Sequence, residues 1–190
     1  MPITLGCIAD DFTGATDLAN MLVKGGLKTI QLLGIPNEKD VDPSVEAVVI
    51  ALKTRTIPVR EAVSQSLQAL SWLKAVGTER FFFKYCSTFD STDEGNIGPV
   101  IDAFMADLEA SFTIACPAFP ETGRTIFKGH LFVGDKLLSD SPMKNHPLTP
   151  MTDSNLVSIL TRQSSLKVGL VQYQDVSGGT PKIKGAFNEL

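Results

Sequence analysis

Ile3-Thr4-Leu5-Gly6-Cys7-Ile8-Ala9-Asp10-Asp11-Phe12-Thr13-Gly14-Ala15 is the stretch whose reading decides the fold. Its first seven residues make a short, almost uninterrupted apolar run, the pattern of a buried strand. Ala15, Leu18, Ala19 and Leu22 then fall at i, i+3, i+4 and i+7, one face of a helix. Thr13 is placed to cap that helix, Asp17 suits its positive end, and Gly25-Gly26 closes it. A strand apolar on both faces, running into an amphipathic helix, opens a parallel α/β unit.

The same rhythm continues outward. Residues 27–33 and 46–52 read as the second and third strands. Pro58 opens a helix whose Val59, Ala62, Val63, Leu67, Leu70 and Leu73 share a stripe. Residues 80–86 form a fourth strand. Pro99 opens a helix with Val100, Ile101, Phe104 and Leu108 inward, and residues 112–116 form a fifth strand. The pattern predicts an α/β fold: three-layer, doubly wound, a mostly parallel sheet with helices on both faces. Residues 125–133 alternate about Lys128-Gly129, which predicts an inserted β-hairpin. A helix over 153–162, a sixth strand over 167–172 and a helix starting near Lys182 complete the expectation.

Composition narrows the function classes. The chain has 190 residues, 43% hydrophobic, and at this length roughly 70% of the unfolded surface can be buried. Charged residues are 20% and no low-complexity tract occurs, so a folded chain is expected. The longest apolar run, residues 47–52, is far too short to span a membrane. The first residues lack a basic region and a cleavage site, so no secretory signal is expected. A net charge of −4 speaks against nucleic acid or an anionic membrane as partner. Cys7, Cys86 and Cys116 are odd in number and widely spaced, which predicts a reduced, cytoplasmic setting with each cysteine in or beside a core strand. His130 and His146 have no ligand cluster at zinc spacing.

Ligands of open parallel sheets bind outside the carboxyl ends of the strands, so the residues after each strand carry the chemistry. After the first come Asp10 and Asp11; after the third, Lys53-Thr54-Arg55. Lys84 lies near the end of the fourth, followed by Ser87, Thr88 and Asp90-Ser91-Thr92; residues 117–124 end in Arg124. Adjacent carboxylates can bind Mg²⁺, or one can take a proton from a substrate hydroxyl while the other hydrogen-bonds its neighbours. The structural alternative is that Asp11 caps the loop and Asp10 pairs with a buried cation such as Lys84. Arg55, Lys84 and Arg124 supply charge for a small anion, whereas we read Lys53 as a surface ion pair. The starts of two helices, Thr13-Gly14 and Asn96-Ile97-Gly98-Pro99, offer backbone N–H groups to an anion or serve as turns. No P-loop or strand-borne G-x-G-x-x-G occurs in the sequence.

The ordered set Ala9-Asp10-Asp11-Phe12-Thr13-Gly14-Ala15, Leu52-Lys53-Thr54-Arg55, Lys84-Tyr85-Cys86-Ser87-Thr88 with Asp90-Ser91-Thr92, Gly95-Asn96-Ile97-Gly98-Pro99, and Pro117-Ala118-Phe119-Pro120 with Gly123-Arg124-Thr125 resembles the four-carbon acid sugar kinase family, its 3-oxo-tetronate branch most. The resemblance implies an ATP- and Mg²⁺-dependent kinase acting on the terminal hydroxyl of a 3-oxo-tetronate, erythronate or threonate. It implies that residues 1–190 are an N-terminal acid-sugar-binding domain, inactive by itself. The nucleotide site would lie in a C-terminal domain absent from this chain. It places Asp10 and Asp11 on the sugar hydroxyls as catalytic residues, one of them the base. Arg55, Lys84 and Arg124 would meet the carboxylate and the phosphoryl charge, with Ser87, Thr88, Asn96 and Gly98 completing the hydrogen bonding. The resemblance leaves room for a homo-oligomer.

Two other function classes share part of this pattern. A non-catalytic sugar-acid-binding module would share every feature of the substrate half. A phosphoaspartyl receiver or haloacid-dehalogenase-like phosphatase needs an acceptor Asp after the third strand, or Asp-x-Asp after the first. This chain has Lys53-Thr54-Arg55 and adjacent Asp10-Asp11 instead.

Overall fold

The computed structural model describes residues 3–37 and 41–190, so the first two residues of the N-terminal signal reading lie outside the described residues. The chain divides into two compact units. One comprises Met1–Cys86 and Ala103–Thr113, the other Ser87–Asp102 and Ile114–Leu190.

The first unit holds the parallel sheet: β1 (Leu5–Ala9), β2 (Thr29–Leu33), β3 (Ala47–Ala51) and β4 (Phe81–Lys84), in the order β2-β3-β1-β4. All its pairings are parallel. β3 reads Ala-Val-Val-Ile-Ala and is buried at every residue, as a strand covered on both faces must be. Alternation sorts the two faces. Cys7 and Ala9 of β1 join Val49 and Ala51 of β3 against Ala15, Leu18, Ala19 and Leu22 of α1 (Phe12–Lys24). Gly6 faces the other way, where the side chain of Leu73 from α2 (Val59–Ala75) packs. Helices therefore cover both faces of the sheet, the three-layer arrangement the periodicity predicts.

Local signals hold at several ends. Gly25 is the C-cap of α1, and Pro58 immediately precedes α2. The N-cap of α1 is Asp11 rather than Thr13: the Asp11 carboxylate accepts the N–H of Gly14 at 2.8 Å. A carboxylate caps as well as a hydroxyl does, and the helix already starts at Phe12, ahead of Thr13.

The second unit carries a three-stranded antiparallel sheet, β5 (Arg124–Phe127), β6 (His130–Val133) and β7 (Lys136–Leu137). The β5–β6 turn places both Lys128 (φ 50°) and Gly129 (φ 76°) in the left-handed region, the geometry of a two-residue hairpin. α4 (Leu156–Gln163), α5 (Tyr173–Ser177) and α6 (Thr180–Glu189) follow. Asn155 caps α4 by accepting the N–H of Ser158. α3 (Ile97–Asp107) begins two residues before Pro99, and its sequence crosses from the second unit to the first. In the first unit its Phe104 ring meets Phe83 of β4 edge-on at 5.6 Å.

Two expected strands are not formed. Among the described residues, 112–116 form no strand of either sheet, and Phe112 and Ile114 are 67% and 71% exposed. The run has a strand's composition, but its sequence crosses the division between the units and the parallel sheet ends at β4. Residues 167–172 are likewise unpaired, largely exposed or half-buried. Of the cysteines only Cys7 is a core residue; Cys86 is half-buried and Cys116 exposed, because the strand expected to bury Cys116 is missing. Burial pushes the Cys7 thiol up to about 12, so it stays protonated.

Candidate functional site

Three parallel strands of the first unit deliver polar residues to one carboxyl-terminal rim. Asp10 is fixed there by its backbone before its side chain is considered. Its N–H donates to Lys84 O (3.0 Å), and its carbonyl accepts from Thr54 N (3.0 Å) and Arg55 N (3.2 Å). The ends of β1, β3 and β4 are thus laced together at a residue only 4% exposed.

The side chains complete the arrangement. Arg55 donates from Nε to Asp10 Oδ2 (3.1 Å) and from Nη2 to Asp10 Oδ1 (2.7 Å). The same Nη2 lies 2.7 Å from Asp11 Oδ1. One guanidinium therefore bridges both carboxylates, and burial alone would make that charge costly. The Asp10 carboxylate, hydrogen-bonded to Arg55, offsets burial and holds the guanidinium's pKa above its ordinary value. For Asp10, burial dominates and raises its pKa, while the hydrogen bond and charge of Arg55 work to lower it.

Asp11 is used on one side only. Its Oδ1 takes both Arg55 and the N–H of Gly14; Oδ2 has no partner among the described residues. Gly14 is required by this packing, since a Cβ there would lie 2.6 Å from Asp11 Oδ1 and 3.4 Å from Lys84 Nζ. Lys84 Nζ donates to the carbonyl of Tyr85 at 2.6 Å. Asp10 is therefore paired with Arg55, not Lys84, and the Nε and Nη2 donors of Arg55 are engaged by the two acids. Lys53 forms no ion pair among the described residues either: its ammonium sits 4.8 Å from the centroid of the Phe12 ring.

The second unit holds the remaining sequence candidates. Ser87 is half-buried. The hydroxyl of Thr88, 3% exposed, bonds the buried carboxylate of Asp90, and Phe89 between them has a φ of 52° and is 1% exposed. Asn96 is buried, and its carbonyl accepts the N–H of Val100 in the first turn of α3. The N–H of Gly98 is engaged, not open to an anion: it donates to Gln163 Oε1 at 2.9 Å. A Cβ at Gly98 would lie 2.5 Å from Gln163 Cβ. Arg124 belongs to β5; its Nη1 donates to Thr122 O, and its buried Nε has no hydrogen-bond partner among the described residues.

Gln163 is a residue sequence reasoning missed. From the end of α4 it also donates to Ser91 Oγ (2.5 Å) and to Thr92 O, so one amide holds the loop that leads into α3. A glutamine in the last turn of an amphipathic helix carries no signal separating it from a solvated one. The histidines serve local turns: His130 Nδ1 meets Lys128 O, and His146 Nδ1 accepts the N–H of Thr149. Among the described residues, no helix is long and apolar enough to cross a membrane.

The donor set bears on the implied cofactors. A divalent cation between Asp10 and Asp11 would meet the Arg55 guanidinium already there, so this pair as arranged does not fit Mg²⁺. Nor does a glycine-rich phosphate cradle occur in the sequence.

Among proteins of known annotation, the 3-oxo-tetronate kinase of Burkholderia multivorans is 61% identical over 186 residues, covering 98% of this chain and 43% of that protein. A Salmonella typhimurium LT2 protein of known structure, provisionally described as a tRNA synthase, superposes with a TM-score of 0.96 at 48% identity, over 99% of this chain and 45% of that one. A Bordetella bronchiseptica domain of unknown function, crystallised with bound citrate as a domain-swapped dimer, gives a TM-score of 0.72 at 30% identity over 83% of this chain and 39% of its own. The chain spans less than half the length of the curated kinases it matches. The family model for a sugar-binding N-terminal domain matches residues 5–190, and the chain belongs to that family.

Proposed function

We propose that this chain is the substrate-holding part of an ATP-dependent cytoplasmic kinase for a four-carbon sugar acid of the 3-oxo-tetronate type. On this reading Asp11 receives the proton of the terminal hydroxyl that becomes phosphorylated. The observation that carries the assignment is the asymmetry of the acid pair. Asp10 is buried with both oxygens bound to Arg55, whereas Asp11 keeps Oδ2 free on a carboxylate pinned from two sides. A base must reach its proton within hydrogen-bond distance and keep an open oxygen, and Asp11 alone of the two meets that condition. Asp10 holds the strand ends in register. Phosphoryl transfer depends mostly on positioning, which a pinned carboxylate supplies.

ATP, as phosphoryl donor, belongs on this proposal to a C-terminal nucleotide-binding domain outside the chain. Lys84 in the first unit remains a candidate for substrate recognition; Ser87, Thr88, Asn96 and Arg124 in the second remain candidates of their own unit, whereas the N–H of Gly98 is taken by Gln163. Support comes from the curated kinases matched over almost the whole chain and from the citrate carried by the Bordetella neighbour, a small multivalent carboxylate. A net charge of −4 argues against tRNA as the ligand.

Isothermal titration of D-erythronate or L-threonate into the chain tests the binding claim. Saturable one-to-one binding is expected, and no binding at millimolar ligand overturns it. In a protein that also carries the C-terminal half, Asp11→Asn is expected to lower turnover about 10²- to 10⁴-fold. Wild-type kinetics there would remove Asp11 from the chemistry.

A further inference from the structure

We infer that Lys53, seated on the ring of Phe12, meets the carboxylate of the sugar acid, and that Arg55 is a positioning residue for the acid pair; this rests on the sugar-acid reading above. A ligand carboxylate approaching Arg55 would compete with two built-in carboxylates at 2.7 Å. Displacing Asp10 would leave a charge 4% exposed without its partner, which costs more than one new pair returns. The Nε and Nη2 donors of Arg55 are thus already spent on the acid pair.

The other rim cations of the first unit are Lys84 and Lys53. Lys84 spends a donor on Tyr85 O and lies beside Gly14, within the Coulomb field of Asp10. Lys53 has no acidic partner among the described residues. Its backbone place is fixed, because Leu52 N donates to Ala9 O at 2.9 Å and Thr54 N to Asp10 O at 3.0 Å. Its ammonium is not left to wander as a surface lysine's would: it lies over Phe12, the residue after Asp11, whose ring is 37% exposed. A cation held by an aromatic face keeps its N–H groups available, since the ring accepts no ordinary hydrogen bond. Exposure of a large ring at a polar rim is accounted for if the ring's task is to seat that cation.

The test is titration of D-erythronate or L-threonate into the wild-type chain, Lys53→Gln, Lys53→Arg and Phe12→Leu, at two salt concentrations. Losing a charge-assisted contact predicts about tenfold or greater weakening in Lys53→Gln. Lys53→Arg, which keeps both charge and stacking, should bind within a few-fold of wild type. Phe12→Leu should weaken binding about two- to fivefold. The salt dependence of affinity should shrink in Lys53→Gln, a change that a merely structural lysine would not produce. Wild-type affinity in Lys53→Gln overturns this inference and leaves the sugar-acid reading standing. Failure of the wild-type chain to bind either acid sinks both.

Discussion

The two units hold their polar clusters by opposite means. In the first, Arg55 ties Asp10 and Asp11 by charge at the end of three parallel strands. In the second, the neutral amide of Gln163 ties Gly98, Ser91 and Thr92 by hydrogen bonds. A charged cluster answers to pH and to any ion that enters it, whereas an amide clamp answers only to geometry. On the proposed reading the first cluster carries chemistry and the second carries shape, and each can be broken separately.

The largest effect should come from Arg55→Leu. Removing the guanidinium leaves Asp10 buried and unpaired, which by analogy with broken buried pairs costs about 3–5 kcal/mol of stability. Urea unfolding measures this, and the Asp10→Asn/Arg55→Leu double variant should recover a large part. If the double variant is no more stable than the single, charge does not hold this cluster. Gln163→Ala should cost less, about 1–3 kcal/mol, because it orphans the Gly98 N–H without stranding a charge; an unchanged midpoint would mean that water replaces the amide.

The smallest effect is the pH response of Asp10. Its folded pKa is raised above the ordinary 3.8, mainly by burial and against the pull of Arg55. Between those two values the folded state binds more protons than the unfolded one, so this residue makes stability fall as pH rises through that window. Asp10→Asn should flatten that fall in unfolding midpoints taken at several pH values. A steeper fall in the variant would reverse the sign assigned to burial.

Much of the first unit was legible because its signals are local. The alternation through Cys7 and Ala9, the stripe from Ala15 to Leu22 and Pro58 ahead of α2 each act within a few residues. The acids at the end of β1 were also visible, since strand ends collect ligands whatever the sequence between them. What stayed hidden depends on partners distant in sequence. Nothing near Arg55 in the chain shows that it meets Asp10, 45 residues earlier. Gln163 reaches Gly98 across 65 residues, and Lys53 needed the position of Phe12 to separate it from a surface ion pair. Residues 112–116 have a strand's composition, but a strand also needs a neighbour to pair with.

On the proposed reading, the sugar acid lands on the rim of Asp11 and Lys53, while Arg55 holds the acid pair. The most direct test is a crystal structure of the chain with D-erythronate bound. We expect a ligand hydroxyl within hydrogen-bond distance of Asp11 Oδ2, the carboxylate against Lys53 Nζ, and the Asp10–Arg55 pair unchanged. A carboxylate seated on Arg55 with Asp10 displaced would contradict the account.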